Sequence, residues 1–135
     1  MLQESELIIS ALGLTLDAGD TMVVAYIGGT QVGSLELNQD ENDHHFWVWN
    51  VNVDEQYQGK GIGRMMVEKA NSEIAEVYFS SASPDEYKIN GQSESTFYLT
   101  EEGVALAKSC VKHGIIREDQ YVNPFAHTYR TYNNE

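Results

Sequence analysis

The sequence predicts a mixed α/β fold with elements in the order β-β-β-β-α-β-α-β. Three observations carry this. The first 53 residues hold four segments rich in β-branched and aromatic residues, separated by turn signals. Two later segments, 61–75 and 100–113, place apolar residues at helical spacing. A short apolar run, 77–81, lies between them, the pattern of a strand, a crossover helix and a parallel neighbour. The sheet should begin as an antiparallel meander, stay mostly antiparallel, and carry the helices packed on it.

Residues 6–16 (ELIISALGLTL) read as the first strand, and Asp17-Ala18-Gly19-Asp20 as a turn. Met22 to Ile27 reads as the second strand, and Gly28-Gly29 offers the positive φ angles of a two-residue hairpin. Gln31 to Leu37 sets Val32, Ser34 and Glu36 on one face and Gly33, Leu35 and Leu37 on the other. In the fourth strand, 45–53, His45, Trp47, Trp49, Val51 and Val53 share one face and Phe46, Val48, Asn50 and Asn52 the other. Large groups on both faces predict a central strand covered on both sides.

In the helix 61–75, Ile62, Met65, Met66, Ala70 and Ile74 form the apolar stripe. Val77 to Ser81 is the fifth strand, and 83–96 a long polar loop. Thr100 caps a second helix whose apolar face holds Val104, Leu106, Ala107, Cys110 and Val111, and Gly114 ends it. Phe125 to Tyr132 reads as the last strand, with Ile115-Ile116 as a candidate short extra one.

The chain has 135 residues, 41% hydrophobic and 21% charged, which fits one globular domain over 1–135. Eight Lys plus Arg against 21 Asp plus Glu give a net charge of −13. None of the eight bases falls in residues 1–59. Such a balance excludes nucleic acid as a partner, for want of a basic footprint, and excludes a basic membrane anchor. It suits a cationic partner, although solubility alone would account for an acidic surface. One cysteine, an acidic N-terminus and no membrane-length apolar run lead to the expectation of a soluble cytoplasmic protein.

The informative stretch joins the fourth strand to the first helix, Val51-Asn52-Val53-Asp54-Glu55-Gln56-Tyr57-Gln58-Gly59-Lys60-Gly61-Ile62-Gly63-Arg64. Alternate glycines let the backbone turn sharply and leave amides uncovered at a helix N-terminus, where dipole and donors suit a pyrophosphate. Lys60 and Arg64 are the first two bases of the chain. A P-loop needs Ser or Thr after the lysine, and a dinucleotide fingerprint needs Gly-x-Gly-x-x-Gly; neither spacing is present.

Gln58-x-x-Gly61-x-Gly63, preceded by Val51-x-Val53-Asp-Glu-x-Tyr57, resembles the acetyl-CoA-binding motif of the GNAT acetyltransferase superfamily. The resemblance implies that the backbone of Gly59, Lys60, Gly61, Ile62, Gly63 and Arg64 holds the CoA pyrophosphate, with Gln58 opening the motif. It implies that the edge of Val51, Asn52 and Val53 runs beside the pantetheine, where the strand splays from the next near Tyr78-Phe79. An N–H near Val53 would polarise the acetyl carbonyl, and acetyl would pass directly to a neutral amine. The co-substrate is then acetyl-CoA, with no metal; adjacent histidines on a strand point to opposite faces and make a poor ligand pair.

Counted along the strand, His45 matches the position of a glutamate base in histone-type members, with His44 and Glu36 as alternates, against a plain solvent-facing strand end for the His pair. For the proton returned to the CoA thiolate, the family's tyrosine corresponds either to Tyr98 or to Cys110, with water as a third source. The family's usual pair of helices between the first two strands is reduced or absent, since only Asp17 to Thr21 are available. The acceptor side should therefore be open or closed by the second copy of a homodimer. The implied activity is acetyl transfer to a primary amine of a cationic acceptor: a protein lysine or N-terminus, a polyamine or a small amine. Two alternatives stand beside it: a longer acyl-CoA as donor, and a non-catalytic acidic protein on a degenerate acetyltransferase fold that engages a basic partner.

Overall fold

The computed structural model describes residues 12–41, 44–81 and 101–122. Among the described residues six strands form one sheet in sequential order: β1 (Leu14–Ala18), β2 (Met22–Ile27), β3 (Thr30–Gln39), β4 (Phe46–Val53), β5 (Val77–Ser80) and β6 (Tyr121–Val122). β1 to β4 pair antiparallel, and β4–β5 and β5–β6 pair parallel. Helix α1 (Ile62–Glu73) is the crossover between β4 and β5, and α2 (Glu101–Lys112) lies between β5 and β6. The fold is the mixed, mostly antiparallel architecture that the sequence patterning predicts.

The meander is set by its turns. Gly28 and Gly29 have φ of 58° and 80°, and Ile27 pairs with Thr30 across them, so the loop is the two-residue hairpin expected of Gly-Gly. β1 runs further than expected. Asp17 and Ala18 are paired to Val24 and Val23, and the turn is confined to Gly19–Thr21, closed by Gly19 N–H to Met22 O at 2.8 Å. No helix separates β1 from β2.

β4 departs from simple alternation. Leu37 pairs with Val48 and Glu36 with Asn50, so Trp49 is an extra residue opposite one position of β3. This β-bulge shifts the side-chain phase by one. Phe46 and Val48 before it, and Val51 and Val53 after it, all face the hydrophobic core. Trp49 and Asn50, caught between Val48 and Val51, both project to the opposite, exposed face. The expected grouping of Trp47 and Trp49 with Val51 and Val53 is thus corrected, because a strict period of two cannot anticipate an inserted residue. The expected cover on both sides of the strand also fails at Trp49, Asn50 and Asn52, which are exposed.

Helix α1 lays Ile62, Met66, Val67 and Ala70 on the sheet, fully buried with Val23, Leu35, Val48, Val77 and Phe79. Ala107 and Cys110 of α2 close the same core. Gly114, at φ 72°, ends α2 as expected. Ile115 and Ile116 are not a strand: their amides go to Cys110 O at 2.9 and 3.4 Å, and Ile116 is buried. The final strand expected at 125–132, the loop 83–96, the cap Thr100 and the early part of the first strand lie outside the described residues.

A buried polar network ties the parallel half together. Gln120, 1% exposed, donates from Nε2 to Asn71 Oδ1 at 2.9 Å and to Val77 O at 3.0 Å, and its Oε1 accepts from Arg117 N–H at 2.9 Å. Asn71 Oδ1 also accepts from Val77 N–H at 3.0 Å. One amide oxygen on α1 thus satisfies both the first residue of β5 and the segment before β6. Asn71→Ala should destabilise the fold by about 2 kcal/mol, because it leaves buried donors unsatisfied, whereas Asn71→Asp, which keeps the acceptor, should cost less. Urea denaturation of the three proteins measures the difference.

Candidate functional site

The site begins where β4 leaves β5. The two strands pair only at Phe46–Val77 and Trp47–Tyr78. Among the described residues β4 pairs from Val48 onward with β3 alone, and its other edge parts from β5. Asp54 N–H donates to Val32 O at 2.8 Å on the β3 side. Peptide alternation therefore turns the N–H and C=O of Val51 and Val53 to the free edge and those of Asn52 toward β3. Asn52 thus departs from its expected role, since its backbone serves the sheet and its side chain is exposed. Gln58 bends back to the free edge, with Nε2 donating to Val53 O at 2.9 Å. That bond holds the turn and leaves the Val53 N–H beside a carbonyl already satisfied.

A short 3-10 turn, Glu55–Tyr57, carries the chain from β4 to the glycines. Gly59 and Gly61 have φ of 75° and 88°, left-handed values that an L side chain adopts at a cost. A Cβ on Gly59 would meet nothing within 4 Å, so its constraint is the backbone and the open space before it. Gly61 is the N-cap of α1, and no side chain caps the helix. Met65 N–H donates to Gly61 O at 3.0 Å as the first helical bond, which leaves the preceding turn of amides at the positive end of the dipole. Ile62 is buried and anchors this turn to the core.

Gly63 has a different task. A Cβ there would lie 3.2 Å from Leu106 Cδ1, so this glycine lets α2 approach α1. The Arg64 side chain likewise turns to α2, with Nη1 3.0 Å from His113 Nε2 and 3.4 Å from Ser109 Oγ. His113 Nδ1 is 2.8 Å from Ser109 O, which accepts its proton, so Nε2 is the lone-pair nitrogen that meets the guanidinium. Of the two bases expected beside a phosphate, Lys60 keeps an exposed side chain on the loop, and Arg64 clamps the two helices.

The structure brings Val51, Val53, Gln58, Gly59, Lys60, Gly61, Ile62, Gly63 and Arg64 to one corner. His45 lies at the other end of β4, before its first residue. Its ring stacks on Tyr78 at 4.1 Å between centroids and 2° between planes, and Trp47 packs on the same Tyr78 at 5.4 Å. This aromatic group sits at the apex from which the strands part. His44 has a positive φ of 61° in the turn before it. Tyr98 lies outside the described residues. Cys110 is fully buried, and desolvation pushes its thiol up to about 12, with Arg64 opposing and Glu68 adding to the shift. It is a core residue and not a proton donor to the site. Sequence reasoning missed Tyr78 as the partner of His45, because only strand pairing brings them together. Among the described residues no group of three His, Cys, Asp or Glu could hold a metal, and no helix is long and apolar enough to cross a membrane.

This strand edge, turn and helix belong to an acetyltransferase class. Residues 18–103 match the family model described as the acetyltransferase (GNAT) domain, and the chain belongs to that family. No curated protein matches it significantly. Among solved structures it is similar to the diaminobutyrate acetyltransferase EctA from Paenibacillus lautus, in complex with L-2,4-diaminobutyric acid and coenzyme A. The identity is 22% and the TM-score 0.43, over 67% of this chain and 52% of that one, so the chain spans about half its length. It is also similar to an aminoglycoside acetyltransferase from an uncultured soil metagenomic sample. Its complex with trehalose gives 19% identity and a TM-score of 0.37, and its complex with sisomicin gives 18% and 0.36; each covers 74% of this chain and 76% of that one.

The residues present fit a CoA. Two left-handed glycines, Gly59 with open space ahead of it, a helix start without a side-chain cap and a strand edge unpaired among the described residues form one continuous polar track.

Buried as it is, Cys110 should resist alkylation by iodoacetamide at pH 8 in the native protein and react once the chain is denatured. The folded state also holds its proton more tightly than a free thiol, whose pKa is near 9.0, so stability should fall as pH rises from about 9 through about 12, read by urea midpoints across that range. Gly63→Ala should lower stability by about 1 kcal/mol through the Leu106 contact while leaving CoA affinity nearly unchanged, read by denaturation and calorimetry side by side.

Proposed function

We propose that the protein is an acyl-CoA-dependent N-acetyltransferase that moves an acetyl group from acetyl-CoA to a primary amine of a cationic acceptor. The observation that carries this reading is the free edge of β4, which runs without interruption into the glycine turn and the uncapped start of α1. Acetyl-CoA supplies a thioester carbonyl when bound.

The amides of Gly59 to Arg64 would hold the pyrophosphate, aided by the exposed ammonium of Lys60. The backbone of Val51 and the N–H of Val53 would pair with the amide groups of the pantetheine arm, as part of a missing strand would. An N–H of this edge would donate to the carbonyl oxygen as negative charge develops there. An arm laid along this edge from the glycine turn leads toward the apex where His45 stacks on Tyr78. His45 is the proposed base that takes the amine's proton, and Tyr98 the proposed donor to the departing thiolate. The acceptor is drawn to a half of the chain that carries ten acidic residues and no Lys or Arg in positions 1–59.

Acetyl-CoA at about a hundred times its Kd should stabilise the native protein by about 3 kcal/mol, seen as a rise of several degrees in Tm. Gly61→Asp should abolish that rise, through a side chain and a like charge in the cradle. An unchanged Tm with acetyl-CoA, together with no thiol release over a panel of amines, would contradict the proposal.

A further inference from the structure

The sheet face turned away from α1 carries a row that the cofactor track does not use. The bulge of β4 sends both Trp49 and Asn50 to this face, because Val48 and Val51 on either side are held on the core side. Glu36 pairs with Asn50 on one side and with Met22 on the other. Cross-strand neighbours stand about 5 Å apart at Cβ, so Met22, Glu36, Asn50 and Trp49 form one contiguous patch. Trp49 is 56% and Met22 37% exposed, two of three large apolar side chains so exposed among the described residues.

Between them Glu36 is half-buried, and its carboxylate accepts from Asn50 Nδ2 at 3.5 Å, the long end of a hydrogen bond. Holding an indole in water forgoes a large hydrophobic gain, since a Trp buries about 200 Å² when it packs. A ligand that covers the ring recovers that gain.

We infer that this row is a binding site for a protonated primary amine on an aliphatic body. On the acetyltransferase reading, on which this role rests, that amine is the acceptor. The chemistry selects the ligand. An indole face attracts a cation and repels an anion. The Glu36 carboxylate supplies an opposite charge in a partly desolvated position, where it acts more strongly than at an open surface. Trp49 and Met22 flank it with apolar surface for methylene groups. Asp17 lies one row away on the same face, paired to Val24 and through it to Ser34 and Asn52. No Lys or Arg in residues 1–59 competes for these groups. The row also lies on the strand whose edge forms the proposed cofactor track.

The chain has two tryptophans. Trp47 is fully buried and Trp49 exposed, so a change in accessible emission reports on Trp49. Titration with hexylamine, hexanol and hexanoate separates charge from hydrophobic contact. Hexylamine should perturb the emission at least about tenfold more tightly than hexanol, and hexanoate should not bind. Glu36→Gln should weaken hexylamine about tenfold and leave hexanol unchanged, and Trp49→Ala should raise the KM for amine, not for acetyl-CoA, about fivefold. Both positions are on the sheet surface, and circular dichroism checks that the variants fold.

Equal affinity for amine and alcohol, or an unchanged hexylamine titration in Glu36→Gln, overturns the inference. The acetyl-CoA melting shift, measured on the same samples, keeps the two readings apart. An intact shift without amine discrimination removes this site and leaves the transferase. Amine discrimination without a shift supports the site and removes the transferase.

Discussion

The early parting of β4 from β5 is the constraint on which the rest depends. Two residue pairs join the strands, and beyond them β4 keeps one neighbour among the described residues. An edge inside a sheet is normally costly, because its amides and carbonyls lose partners without gaining free access to water. Here the residues just after β4 limit that cost. Gln58 takes the Val53 carbonyl, and the glycine turn carries the chain out of the gap within a few residues. The bulge at Trp49 contributes to the divergence, since an inserted residue bends and twists its strand away from a straight neighbour.

Holding the gap open requires the elements around it to be rigid, and polar side chains supply much of this. Asn71 and Gln120 fix β5 to α1 and to the segment before β6. Arg64, Ser109 and His113 tie the first turn of α1 to α2, while Gly63 lets the two helices meet closely. Outside, Arg117 bonds Glu76 at 2.8 Å and Asp119 at 2.9 Å. Its hydrogen bond holds the Glu76 carboxyl below the usual range, with His45 and Tyr78 acting in the same direction. These groups are exposed, so the triad contributes orientation more than stability.

One strand would thereby serve both proposed ligands. The edge of β4 offers backbone groups to an extended arm, and its outer face offers Trp49 and Asn50 beside Glu36. The bulge creates the second surface: without the extra residue, Trp49 and Asn50 would fall on opposite faces. The uneven charge of the chain fits this division, with bases absent from the meander and Lys60 first appearing at the glycine turn.

The sequence by itself determined the order of elements, the Gly28-Gly29 hairpin, the apolar stripe of α1 and the glycine turn that begins it. Each is a local feature, written in side-chain period or in residues that tolerate positive φ. Only the tertiary structure decided the rest. The bulge at Trp49 needs two strands before one of them can have a residue too many. The separate tasks of Gly61 and Gly63 depend on where α2 lies, since Gly63 is crowded by Leu106 and Gly61 is constrained by its own backbone. The Arg64 side chain turns to His113 across 49 residues of chain, and His45 found Tyr78 only when β4 and β5 paired. Contacts made through space between distant segments leave no period or spacing in the sequence, and these contacts give the site its shape.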